Sequence, residues 1–196
     1  MIQERLKKDT RPDHDALEEK MFVHSIMNGT LSLQQYKQLL TTNYLIHAAF
    51  EEFLFSALPS QMAEELQITR RRKLPALLMD LQELEMDIPL PVEPGWTSRF
   101  PDQEPSVLGA LYVLEGATLG GHVIVKRLAI DPILNHLNLG FHYYQVYGED
   151  LVPNWKLFCE VLNRQPEPAY PLMLAGAHRM FACITSVQYG HSLSPA

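Results

Sequence analysis

Apolar residues recur at three- and four-residue steps from end to end of this 196-residue chain, while alternating runs rich in valine, isoleucine and threonine are scarce. That period predicts an all-α fold. With 46% hydrophobic residues the chain can bury one substantial core. Its length demands no second unit, so residues 1–196 are read as a single domain.

The pattern divides the chain into helices. A short amphipathic one covers about residues 2–9, and Thr10 with Pro12 marks either a break or a fresh helix start, since proline is tolerated in a first turn. Ser32 and Gln35 fit a capping box, and Tyr36, Leu40, Tyr44, His47, Phe50 and Leu54 carry the next helix to a stop before Pro59. One or two polar helices follow over 61–86. Pro89, Pro91, Pro94, Gly95, Pro101 and Pro105 then mark an extended connection across one core. A strongly apolar helix is expected over 105–129, and two more over 149–163 and 170–189.

Composition narrows the function. A net charge of -7 argues against nucleic-acid binding, which draws its affinity from lysine and arginine. The basic run Arg70–Lys73 reads as a solvated helix start, or else as a docking patch for an acidic electron-transfer partner. Cys159 and Cys183 stand far apart, without a CxxC or thiolate zinc pattern, and read as buried free thiols. No run approaches the roughly 20 apolar residues of a membrane span, and the charged start lacks a leader pattern, so a cytoplasmic protein is expected.

Gly116, Gly120 and Gly121 lie inside the apolar helix, where each costs about 1 kcal/mol relative to alanine. The four-residue step places Gly116 and Gly120 on one face, so the backbone can approach either another helix or a flat ligand. The adjacent pair Gly120-Gly121 also invites local unwinding.

Among eight histidines, His14 has the most suggestive surroundings. Glu18, four residues on, can accept from its Nδ1 and leave Nε2 free for a metal. Lys7 and Arg11 can present cations to carboxylates at a ligand's edge. The pair His47 and Glu51 also has metal-binding spacing, but no Glu-x-x-His motif accompanies it, so a bundle-type di-iron site is not expected.

With these two segments in hand, the sequence resembles the biliverdin-producing haem oxygenases, particularly their bacterial branch. The resemblance rests on the run from Leu6 to Glu18, on Tyr112-Val113-Leu114-Glu115-Gly116-Ala117-Thr118-Leu119-Gly120-Gly121, and more softly on Phe141 to Trp155 with Phe158. It implies haem sandwiched between a proximal helix, with His14 as the iron ligand, and a glycine-kinked distal helix. The implied catalytic stretch is Gly116, Gly120 and Gly121, with Lys7, Arg11, Glu18 and Tyr112 around the haem. Haem would be both substrate and cofactor, cleaved with O2 to biliverdin, carbon monoxide and ferrous iron. A ferredoxin, flavodoxin or flavin reductase would supply the electrons. A glycine-lined distal face suits this chemistry, because it leaves room for oxygen and offers no second ligand to the iron.

One departure stands out. Animal members carry an aspartate after the first distal glycine, whereas this chain has Ala117; bacterial members resembling it commonly lack that aspartate as well. The proton path must then run through water and backbone. Two other readings keep the fold and change the chemistry. One is a haem carrier or sensor without turnover, and the other is a thiaminase-like or non-haem iron enzyme built on the same helices.

Overall fold

The structure is a computed structural model that describes residues 1–90, 97 and 100–192, with residues 188–192 described by backbone alone. Among the described residues every regular element is helical. Helix α1 (Ile2–Asp9) buries Ile2 and Leu6, and packs on two helices from the far end of the chain, α8 (Leu151–Asn163) and α9 (Tyr170–Ser192). The Thr10 hydroxyl donates back to the Leu6 carbonyl at 2.8 Å and closes α1. Pro12 then sits in the first turn of α2 (Arg11–Lys20).

Helix α3 (Val23–Asn28) has no counterpart in the sequence reading. It is set off by Phe22 and Gly29, both left-handed, with φ of +54° and +64°. Its six residues are too few to display a helical period. Helix α4 (Leu33–Ser56) begins at the expected capping box: Gln35 N–H donates to Ser32 Oγ at 3.1 Å, and Ser32 N–H to Gln35 Oε1 at 2.9 Å. The polar stretch resolves into α5 (Ser60–Glu65), a 3-10 turn over Ile68–Arg71, and α6 (Leu74–Glu83). Of the proline-rich connection, Pro91, Pro94 and Gly95 lie outside the described residues. At its end Phe100 packs edge-on against Phe50 and Phe53, with ring centroids 5.6 and 6.2 Å away.

The apolar helix α7 (Glu104–Leu128) is one unbroken α-helix, so the local unwinding expected at Gly120-Gly121 does not occur. By length and composition it is apolar enough to cross a membrane, but over half of that stretch is buried inside the protein, as in a core helix. Its N-terminal half crosses α9 closely. A Cβ on Gly109 would overlap the Met173 carbonyl, and one on Gly176 would overlap that of Ser106. Ser106 Oγ donates to the Leu172 carbonyl at 3.3 Å along the same seam.

Two apolar clusters result. One joins α1, α4, α7, α8 and α9 through residues such as Phe50, Leu111, Phe158 and Met180. The other joins α3, the start of α4, α6 and the 134–143 segment through Ile26, Tyr36, Leu81 and Phe141.

Candidate functional site

A cavity of 590 Å³, of the size usual for a cofactor site, opens between α2 and the C-terminal half of α7. Its wall draws on both clusters, with Ile26 and Tyr143 from one and Val113 and Ile184 from the other. Seven of the eight residues expected at a site line it: Lys7, Arg11, His14, Glu18, Tyr112, Gly116 and Gly120.

On the α2 side, none of the helix's residues is fully buried, because its inner face borders the cavity. His14 keeps 57% of its side chain exposed, and its ring stands edge-on to Phe181, centroids 6.4 Å apart. Its Nδ1 faces two carboxylates, Asp15 Oδ1 at 3.6 Å and Glu18 Oε1 at 3.9 Å. Glu18 was expected alone; Asp15 stands nearer and also pairs with Arg11 Nε at 3.3 Å. A link from Asp13 Oδ2 to His178 Nδ1 at 2.7 Å anchors this helix to α9.

The α7 wall carries the glycines, and they divide by what surrounds them. A Cβ on Gly116 would meet only the Trp155 ring, at 3.7 Å, and one on Gly120 only the Ile124 side chain, at 3.8 Å. These are ordinary contacts, so protein packing gives no reason to accept the helix penalty of glycine at either position. The open cavity does. Gly121 is placed differently: it is buried, away from the cavity, where a Cβ would press into the Tyr144 carbonyl. Tyr112, one turn before Gly116, is half-buried against Trp155, and burial pushes its hydroxyl up to about 12.

Behind α7 lies a set of charges that the sequence reading misplaced. The run Arg70–Lys73 is not a solvated face: Arg71 is 2% exposed and Lys73 1%, while Arg70 and Arg72 point outward. Arg71 Nη1 and Lys73 Nζ donate to the two oxygens of buried Glu115 at 2.6 and 2.5 Å. Arg71 also donates to the Leu66 and Asn154 carbonyls, and Tyr147 Oη donates to Glu115 Oε2 at 2.7 Å. Burial alone would raise Glu115, but the Lys73 and Arg71 cations hold its carboxyl below the usual range. The available signal was a single glutamate inside an apolar helix, which requires a buried cation. Its partners come from 42 and 44 residues away, and no local pattern announces them.

The second buried set is His47 and Glu51, whose Nδ1 and Oε2 lie 3.1 Å apart beside Tyr143. Sequence reasoning named neither Tyr143 nor Asn43 as a cavity residue: Asn43 is one polar position among many on α4, and Tyr143 is one of several aromatics in a short run, so nothing local singles either out.

The family model described as Heme oxygenase matches residues 1–187. A curated heme oxygenase of Xanthomonas campestris pv. campestris (strain 8004) is 33% identical over 163 residues, covering 82% of this chain and 92% of the relative. The solved NO- and CO-bound heme oxygenase from Neisseria meningitidis superposes with a TM-score of 0.71, covering 97% of this chain and 91% of that one at 21% identity. That structural likeness carries the all-α fold, and the extent of the family match carries the rest: the chain belongs to the haem oxygenase family of haem-degrading oxidoreductases.

Proposed function

We propose that this protein binds haem in the cavity between α2 and α7 and cleaves it, with O2 and electrons from a ferredoxin, flavodoxin or flavin reductase, to biliverdin, carbon monoxide and ferrous iron. The carrying observation is the contrast between the cavity walls. One presents a histidine backed by carboxylates, and the other presents two glycines that no neighbouring protein atom requires.

The donor set suits haem. His14 Nε2 would hold the iron, with Asp15 and Glu18, 3.6 and 3.9 Å from Nδ1, placed to orient the ring once one of them closes to hydrogen-bond distance. Lys7 and Arg11, at the exposed rim, would pair with the propionates. Phe181, Ile184 and Val113 would supply apolar wall for the macrocycle, and Tyr112 lines the same cavity. When bound, haem supplies the iron that activates O2 and the meso carbon that is oxidised. Gly116 and Gly120 keep the space above it free of side chains, and Gly121 seats α7 against Tyr144, so that the first two face the cavity.

A thiol enzyme on the same fold is disfavoured by the cysteines. Neither lines the cavity, and burial pushes the Cys159 thiol up to about 11 and raises that of Cys183, which leaves both poor nucleophiles.

The test adds haem to the purified protein and to His14→Ala, then records absorption spectra before and after ascorbate in air. The expected result is a histidine-type haem spectrum that gives way to a biliverdin band in the parent, with altered ligation in the variant. Haem that stays intact with a competent reductase system would point to a carrier or sensor, and a protein that binds no haem would sink the reading.

A further inference from the structure

With Ala117 beside the first glycine, no carboxylate among the described residues lines that side of the cavity, yet one hydroxyl on the wall has its polarity set from behind. Tyr143 lines the cavity, and its backbone is pinned: its own N–H and that of His142 donate to the Asp80 carboxylate at 2.8 and 2.7 Å. Its ring meets His47 edge-on at 5.6 Å, with Oη 3.4 Å from His47 Nε2.

Glu51 decides which way that hydrogen bond runs. Its Oε2 accepts the Lys73 N–H at 2.8 Å and the Leu74 N–H at 3.3 Å, and lies 3.1 Å from His47 Nδ1. Burial alone would raise the carboxyl, but the bond from His47 and the neighbouring Lys73 hold it low, so Glu51 is an anion that only accepts. The proton of neutral His47 must therefore sit on Nδ1, facing Glu51. Its Nε2 is bare, and burial keeps the ring from gaining a second proton. A bare Nε2 accepts the hydrogen bond from the Tyr143 O–H, which leaves the Tyr143 oxygen only acceptor capacity toward any other partner.

We propose that Tyr143, oriented by His47 and Glu51, is the acceptor that holds the proton-donating water of the reaction. This rests on the haem-oxidising reading above. A water that spends one O–H on Tyr143 keeps the other for the cavity, and the proton it gives to the oxygen being reduced is replaced from bulk water through the cavity mouth. Tyr143 neither gains nor loses a proton. His47 and Glu51 are positioning residues.

Two measurements test this. In the haem-free parent labelled with 15N-histidine, the His47 signal, assigned by its absence from His47→Gln, should show the proton on Nδ1; a proton on Nε2 would overturn the proposal. In the haem-loaded protein, Tyr143→Phe should leave haem affinity and the absorption spectrum unchanged. Its kcat for biliverdin formation should fall on the order of 100-fold, with hydrogen peroxide released in place of pigment. An unchanged kcat and no added peroxide would equally overturn it. A parent that takes up haem without cleaving it would remove the functional reading and this proposal together, and the parent's own spectra tell that outcome from a failure of Tyr143 alone.

Discussion

Gly109 and Gly116 lie seven residues apart on the same stripe of α7, roughly 10 Å along its axis, and their surroundings have nothing in common. At Gly109 the backbone of α9 occupies the place of a Cβ; at Gly116 the nearest atoms leave room for one. The same residue is thus demanded by protein packing at one end of the helix and by an open cavity at the other. Sequence spacing cannot separate these two reasons, because both give small residues on one face. Glu115 marks the border between them, held from behind by Arg71 and Lys73 while its neighbour Gly116 faces the cavity.

The contrast can be broken most severely at that border. Glu115→Gln leaves two buried cations without their anion and should cost about 3–5 kcal/mol in chemical denaturation. Its acid dependence should change as well. Because the folded protein holds Glu115 below its ordinary value of 4.5, the carboxylate adds stability above that pH and loses it as pH falls through the lower folded value. The parent should therefore weaken on acidification below 4.5, and the variant should show a flatter profile there.

Gly109→Ala comes next. Overlap with the Met173 carbonyl should destabilise the fold by about 1–3 kcal/mol, roughly 2–4 °C of Tm for each kcal/mol. Gly116→Ala should do the opposite to the haem-free protein, raising its stability by up to about 1 kcal/mol while weakening haem binding in a spectroscopic titration. If the two substitutions shift Tm in the same direction, the distinction between the two ends of α7 fails. The smallest effect is expected at the rim. Arg11→Ala removes an exposed pair with Asp15 and should change stability by less than about 1 kcal/mol, while haem dissociates faster and with less sensitivity to salt.

Much of this was legible in the chain itself. The capping box at Ser32 and Gln35, the restart at Pro12 and the span of α7 were read to within a residue or so, because caps and period are local properties. Gly109 and Gly176 were passed over, since nothing local distinguishes a glycine that meets another helix's carbonyl. The basic run failed for a related reason. In a 3-10 turn leading into extended backbone at Arg72, successive side chains point apart, so Arg71 and Lys73 turn inward and Arg70 and Arg72 outward. An averaged view of four cations hides that split.

The sequence by itself determined the long helices, the His14 segment and the glycine-bearing helix, because hydrogen bonding within a helix and the spacing of its faces depend on residues four apart or fewer. Only the tertiary structure decided that Gly121 serves packing rather than the cavity, that Glu115 is neutralised by Arg71 and Lys73, and that Tyr143 reaches the cavity with His47 and Glu51 behind it. Each of those contacts joins residues from separate elements, and burial of charge and hydroxyl groups acquires its meaning from the partner that chain folding delivers.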